Sequence, residues 1–224
     1  MSIDSTVFIV VPAYNVAQRR FRSVLEQLGT LPYRVVVVDD GSTDTTAEIG
    51  KQYTSVVRHE INRGQGAALM TGMAYALRQG ATILVHFDAD GQMDPADIVT
   101  AVQLLQTNPQ LDIILGSRFL KANTIPWTKK YLIQKPALWF QRLTTGLPLT
   151  DVHNGFRAMT AAAAKRLEIK QDRMAHASEI ILLIKRLGLR YQEIPVTIRY
   201  FDYGQGMLGG LRILRDLFTQ QFIK

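Results

Sequence analysis

Two carboxylates follow an apolar run and stand two residues apart in Ile83-Leu84-Val85-His86-Phe87-Asp88-Ala89-Asp90-Gly91-Gln92. The run reads as a buried strand and Gly91 as part of its exit turn. In an extended segment, positions i and i+2 point the same way. Asp88 and Asp90 are therefore expected to face one site at the strand's C-terminal end. Like charges so close repel, and a cation between them relieves the repulsion. Oxygen-only ligands select a hard divalent ion, which keeps open positions for phosphate oxygens. The plainer alternative is that Asp88 caps the strand and Asp90 opens a turn, both common places for Asp.

The elements around the pair bear on that choice. A strand over 7–11 stops at Pro12-Ala13-Tyr14-Asn15, and a helix over 16–28 follows. A second strand over 35–38 is all valine, as expected of a strand buried on both faces. It ends in Asp39-Asp40-Gly41-Ser42-Thr43-Asp44, and Thr45 with Glu48 reads as a capping box opening a short helix. A weaker strand over 55–58, a loop over 62–66 and a helix over 67–77 lead to the strand that runs to Asp88. Asp94-Pro95 opens a helix to about Gln106, and 111–115 is a further strand. Such alternation implies crossover connections and a mostly parallel sheet flanked by helices. Ligands sit beyond the carboxyl ends of such sheets. The polar segments 12–15, 39–44, 62–66 and 88–92 all fall there, which favours a ligand site.

The second half is less regular. Residues 150–157 read as a polar turn, 161–167 and 177–187 as helices, and 191–198 as a strand. A final helix over 211–222 carries Leu211, Leu214, Phe218 and Phe222 on one stripe, with Arg212 and Arg215 off it. The expected organisation is one domain over 1–205 with an amphipathic extension over 206–224.

At 47% hydrophobic and 20% charged, the chain can bury a sizeable core and is not disordered. It has no cysteine, which excludes a disulfide framework and thiolate chemistry. No secretory signal and no window long and apolar enough for a spanning helix is visible. The net charge is +7, and no acidic residue occurs between Asp112 and Asp151. That stretch holds Arg118, Lys121, Lys129, Lys130, Lys135 and Arg142 among Trp127, Tyr131, Trp139 and Phe140. Cations interleaved with aromatics suit an anionic membrane surface, and a membrane, not a nucleic acid, is the partner expected.

Some chemistries are excluded by motif. Gly64-Gln65-Gly66-Ala67-Ala68-Leu69 has Leu69 where a dinucleotide fingerprint needs Gly or Ala. The segment reads instead as a flexible loop that approaches a phosphate or opens the helix at Ala67. No phosphate-binding Gly-Lys-Ser/Thr loop occurs, and the four histidines lack zinc-ligand spacing. Glu179 is expected either to serve a ligand or to match a helix dipole.

Six motifs occur in one order: Val11-Pro12-Ala13-Tyr14-Asn15, Asp39-Asp40-Gly41-Ser42-Thr43-Asp44, Asn62-x-Gly64-x-Gly66, Phe87-Asp88-Ala89-Asp90-Gly91-Gln92, Gly116-Ser117-Arg118-Phe119 and Asn154-Gly155-Phe156-Arg157. Together they resemble family 2 glycosyltransferases of GT-A fold, in particular the dolichol/polyprenyl-phosphate sugar synthases. The resemblance implies an inverting, Mg²⁺- or Mn²⁺-dependent transfer from a nucleoside-diphosphate sugar. It implies that Pro12, Ala13, Tyr14, Val37 and Asp39 hold the nucleoside. Asp88, Ala89, Asp90 and Gln92 would hold the diphosphate and metal, with Asp90 and Gln92 the foremost ligands. Arg118 would stand where donor and acceptor phosphates meet, Lys129 or Lys130 would serve the acceptor loop, and Arg157 would join the donor-side set. Phe201 and Met207 stand where the subgroup has Arg and Lys, and Arg199 is the nearby replacement for the first.

The expected function is sugar transfer to a polyprenyl phosphate at the cytoplasmic face of a membrane, by a peripheral protein that can work beside an integral-membrane partner. Two alternatives stay open: a transferase extending a lipid-linked or cell-envelope glycan at a sugar hydroxyl, and a non-catalytic sugar-nucleotide-binding subunit. A hydroxyl acceptor needs a general base, and Asp151 is the candidate.

Overall fold

The computed structural model describes residues 6–120, 146–151, 154–172 and 175–199. The basic residues Lys129 and Lys130, the positions Phe201 and Met207, and the final amphipathic helix lie outside the described residues.

Seven strands form one sheet: β1 (Val7–Ala13), β2 (Arg34–Asp39), β3 (Ser55–Arg58), β4 (Ile83–His86), β5 (Ile113–Ser117), β6 (Arg157–Thr160) and β7 (Tyr191–Pro195). Their order across the sheet is β3-β2-β1-β4-β6-β5-β7. All neighbours are parallel except β6, which runs antiparallel to both β4 and β5. The expectation of a mostly parallel sheet therefore holds, with one reversed strand that the sequence reading did not assign beyond placing its first residue, Arg157, in a polar turn.

Helices cover both faces. On one side pack α1 (Phe21–Leu28) and α4 (Ala96–Thr107); on the other, α3 (Gln65–Arg78), α5 (Ala161–Arg166) and α6 (His176–Arg186). The short helix α2 (Thr46–Lys51) links β2 to β3. In α1 the buried residues Phe21, Val24, Leu25 and Leu28 stand at i, i+3, i+4 and i+7, one stripe of a helix. Val36, Val37 and Val38 in β2 are completely buried, as a strand covered on both faces must be. Each such side chain contributes roughly 1.5–3 kcal/mol. Helix α3 rides close on the sheet at Gly72, where a Cβ would lie 2.3 Å from the Val10 side chain.

Several boundaries differ from the sequence reading. Helix α1 starts at Phe21 rather than Val16, because the Val16 and Ala17 amides are tied to Thr46 Oγ1 and Asp44 Oδ2. The capping box at Thr45 is absent; Asp44 Oδ1 accepts from Thr46 N instead. Helix α3 opens at Gln65, not Ala67, after Gly64 at φ 107°, a conformation that glycine adopts without strain. Strand β4 stops at His86, so Asp88 and Asp90 lie in the turn beyond it and not on an extended segment.

Candidate functional site

Strands β1, β2, β4 and β5 end at one edge of the sheet, and the reversed β6 begins there. The register places Ala13 beside Asp39, Asp39 beside Arg58, and His86 beside Arg157. The edge thus gathers Pro12, Ala13, Tyr14, Asp39, Asp88, Ala89, Asp90, Gln92, Arg118, Asp151 and Arg157. Val37 lies two residues inside β2, with its side chain fully buried in the core beneath the edge.

The loops after β1 and β2 are stitched together. Asn15 N donates to Ser42 Oγ at 3.0 Å, and Thr43 N donates to Asn15 Oδ1 at 2.9 Å. Asn15 adopts φ 49°, which asparagine tolerates better than most residues. Tyr14 stays open to solvent, 46% exposed, over a rigid base. Asp39 is completely buried; its Oδ1 accepts from Ser42 N, and Arg58 Nε stands 3.0 Å from Oδ2. That contact is an ion pair without hydrogen-bond alignment, so Oδ2 keeps an unfilled acceptor. The Arg58 side chain beside it is half-exposed.

Asp40 holds the next loop. Its carboxylate accepts from Arg63 N at 2.9 Å and Gly64 N at 2.6 Å, and it meets His59 Nδ1 at 2.7 Å. His59 in turn contacts Thr71 Oγ1 at 2.9 Å. Far from flexible, the 62–66 loop is anchored to the sheet and to helix α3. It approaches a carboxylate: Gln65 Nε2 donates to Asp88 Oδ1 at 2.9 Å.

Asp88 is partly buried, and its pKa is pushed up to about 6 by burial first and by Asp90 second, against the lowering influence of Arg157 and Gln65. Its other oxygen, Oδ2, faces the backbone of Gly155, where a Cβ would intrude to 2.4 Å. Asp90 uses Oδ1 to accept from Gln92 N at 2.9 Å. The pair is therefore two partly covered carboxylates that repel one another. An oxygen-donor set of this kind fits a hard divalent cation. Among the described residues no group of three or more His, Asp or Glu converges, so positions would remain for ligand oxygens. The chain after β7 clasps the same turn: Arg199 N donates to Gln92 O at 2.8 Å, and Met93 forms a bridge with Ile198. The Arg199 guanidinium pairs with Asp94 at 3.1 Å on an exposed surface, so it is directed to a carboxylate on the outer side of the turn.

On the β5 side, Arg118 donates through Nε to Asp151 Oδ2 at 2.7 Å and through Nη2 to Asp151 Oδ1 at 2.8 Å. Both oxygens of Asp151 are thus engaged by Arg118. Glu193 of β7 holds the Thr150–Asp151 backbone, accepting from Thr150 N at 3.0 Å and Asp151 N at 3.2 Å. Below, Arg157 is 1% exposed, and among the described residues its side chain makes one hydrogen bond, from Nη1 to Gly155 O at 3.3 Å. Its Nε and Nη2, both ring nitrogens of His86 and Asn154 Nδ2 are buried without a hydrogen-bond partner among the described residues. Burial pushes the Arg157 guanidinium down to about 10, opposed by Asp88 and Asp151. Burial, then Arg157 and His176, push His86 down to about 3, so it stays neutral.

The sequence reading did not single out Gln65, Asp40, His59 or Glu193 for these roles. Glu179, left open, accepts from the backbone amides of Lys170 and Gln171, which makes it a loop anchor.

A family profile described as glycosyl transferase family 2 matches residues 8–167. The chain is similar to a UDP-N-acetylglucosamine–dolichyl-phosphate N-acetylglucosaminyltransferase of Methanococcus voltae, 30% identical over 96% of this chain and 95% of that one. It is also similar to a polyprenol monophosphomannose synthase of Mycolicibacterium smegmatis, 25% identical over 94% of this chain and 83% of that one. Among solved structures, glucosyl-3-phosphoglycerate synthase of Mycobacterium tuberculosis, in complex with Mn²⁺, UDP and product, superposes with a TM-score of 0.74 at 19% identity, covering 99% of this chain and 81% of that one. This last likeness shows a GT-A fold.

Proposed function

The chain belongs to glycosyl transferase family 2 and stands close to polyprenyl-phosphate sugar transferases, and on that footing we propose that it moves a sugar from a nucleoside-diphosphate sugar to a polyprenyl phosphate, with inversion. An acceptor phosphate oxygen attacks the anomeric carbon, the carbon–oxygen bond to the diphosphate breaks, and its electron pair leaves with the nucleoside diphosphate. Asp90, Gln92 and Asp88 would hold Mg²⁺ or Mn²⁺, which when bound offsets the charge developing on the leaving group. Pro12, Ala13, Tyr14 and Asp39 line the nucleoside side. Arg118, held in a fixed plane by Asp151, stands beside the phosphate oxygens as a fixed cation.

The observation that carries this reading is the engagement of Asp151. A hydroxyl acceptor needs a base, and the carboxylate available for it has both oxygens committed to Arg118. A phosphate acceptor is already an anion and needs none. Relatives named for dolichyl-phosphate and polyprenol acceptors support the same reading.

On this reading the protein works at the cytoplasmic face of a membrane as a peripheral enzyme. No helix among the described residues is long and apolar enough to cross a membrane, and the acid-free basic stretch after Arg118, which holds Lys129 and Lys130, suits an anionic leaflet. The deciding experiment incubates the protein with Mn²⁺, a panel of UDP- and GDP-sugars and either a polyprenyl phosphate or a glycosylated lipid, with products identified by mass. A sugar-phosphate-lipid is expected. Transfer only to the glycosylated lipid would replace this reading by the hydroxyl-acceptor one, and no transfer at all despite nucleotide binding would leave a binding subunit.

A further inference from the structure

We propose that Gln65 is a positioning residue for the cation site and acts through Asp88. The inference rests on the reading of Asp88 and Asp90 as the carboxylates that hold a divalent cation.

The geometry leaves Gln65 little freedom. It is the first residue of helix α3, and the chain on both sides of it is pinned at three amides. Asp40 takes Arg63 N and Gly64 N, and the carbonyl of Asp172 takes Gly66 N at 2.8 Å. A Cβ on Gly66 would lie 2.1 Å from Gln171 O, so the chain passes there with no room to shift. The Gln65 side chain leaves this anchored start and places Nε2 on Asp88 Oδ1.

Asp88 needs such a holder. Strand β4 ends at His86, and the last bond to β1 is from Phe87 N to Val10 O at 3.1 Å; the next amide, Asp88 N–H, meets the Met93 sulfur at 3.4 Å, a weak acceptor. Repulsion from Asp90 drives the carboxylate outward. Two contacts oppose this: the Gly155 backbone behind Oδ2, and the Gln65 amide on Oδ1. The first limits approach from one side, and only the second is directional. A planar amide donating to one oxygen sets the plane of the carboxylate and leaves its second lone pairs aimed at the space shared with Asp90. An amide is neutral, so it orients Asp88 without competing for its charge, as Lys or Arg at this position would.

The test is a cycle of three variants: Q65M, which keeps length and removes the donor, D88A, and the double variant. Mn²⁺ binding is followed by electron paramagnetic resonance in the presence of UDP and, separately, of GDP, and the melting temperature is recorded for each protein. Loss of a charge-assisted hydrogen bond predicts that Q65M raises the Mn²⁺ half-saturation roughly tenfold, with an unchanged melting temperature. In the D88A background the same change is expected to cost nothing further, because the partner is gone. Unaltered Mn²⁺ binding in Q65M, or losses that add in the double variant, would overturn the inference while the cation reading stands. If the unaltered protein binds Mn²⁺ with neither nucleotide, the cation reading falls and the inference with it.

Discussion

Arg118 and Asp151 form a two-point ion pair whose carboxylate end is 2% exposed and whose guanidinium end is 25% exposed. The covered end holds and the open end is presented, which is how an arginine is aimed at a ligand. Removing Asp151 should therefore act like misaiming Arg118. D151N is expected to lower kcat about 100-fold, the scale of losing one charge-stabilising donor, and to leave the shape of the pH–rate profile unchanged. Loss of the acidic limb in D151N would show that Asp151 takes a proton after all.

The Glu193 carboxylate supports Asp151 from beneath through backbone amides. E193Q retains one acceptor oxygen, so a smaller loss is expected, about tenfold in kcat with KM for the donor sugar unchanged. Steady-state kinetics on the two variants side by side checks the order.

Asp88 should make cation binding pH-dependent. Its pKa of about 6 in the folded protein lies above the ordinary 3.8. The neutral form suits the fold better, so this group's contribution to stability is present below pH 3.8 and is lost as pH rises through 6. D88N mimics the neutral form and is expected to gain about 2 kcal/mol at pH 8 without metal, an amount reduced by the partly open position of the carboxylate. A cation reverses the preference, and Mn²⁺ affinity should fall about tenfold per pH unit below 6. Calorimetric titration across pH 5 to 8 measures both.

Gly155 is required by proximity rather than by conformation. G155A would set a methyl 2.4 Å from Asp88 Oδ2 and 3.0 Å from the end of Met93. Met93 can yield, but the carboxylate has Gln65 on its other oxygen. The expected cost is about 1–3 kcal/mol in stability, with weakened Mn²⁺ binding that lengthening the side chain further to Val makes worse.

Asp40 is expected to matter for stability more than for chemistry. D40A strands two loop amides and His59 in one step, at about 3 kcal/mol. Thermal unfolding checks it, and loss of the Gln65 contact should follow as weaker Mn²⁺ binding.

What could be read from the chain follows from what each element depends on. Strands β1 and β2 are apolar, β-branched runs, and their burial is local in origin. The site edge was legible because Pro12, Asp39 and Asp88 each interrupt such a run with a polar group. The pair at 88 and 90 was found by residue type, although the extended geometry first assigned to it does not occur. Strand β6 was missed: Arg157-Ala158-Met159-Thr160 is short, starts with a charge and passes into α5 without a turn. The partnerships Gln65–Asp88, Arg118–Asp151 and Glu193–Thr150 span 23, 33 and 43 residues. No periodicity records contacts of that kind, because they exist only once the sheet has assembled. The pairing of Asp151, named from the sequence as the candidate base for a hydroxyl acceptor, with Arg118 is of this kind.

The reversed strand also has a consequence for how the protein is made. β4 and β5 are not bonded to each other; both pair with β6, which is synthesised after them. Once residue 86 has left the ribosome, the four strands β3-β2-β1-β4 can assemble as a unit, with their part of the site edge in place. The outer edge of that unit is Ile83-Leu84-Val85, apolar and without a partner until residues 157–160 arrive. For that interval the nascent chain carries an open edge able to pair with a second chain. Shortened chains that end between β5 and β6 should aggregate, while those that end after Thr160 should not.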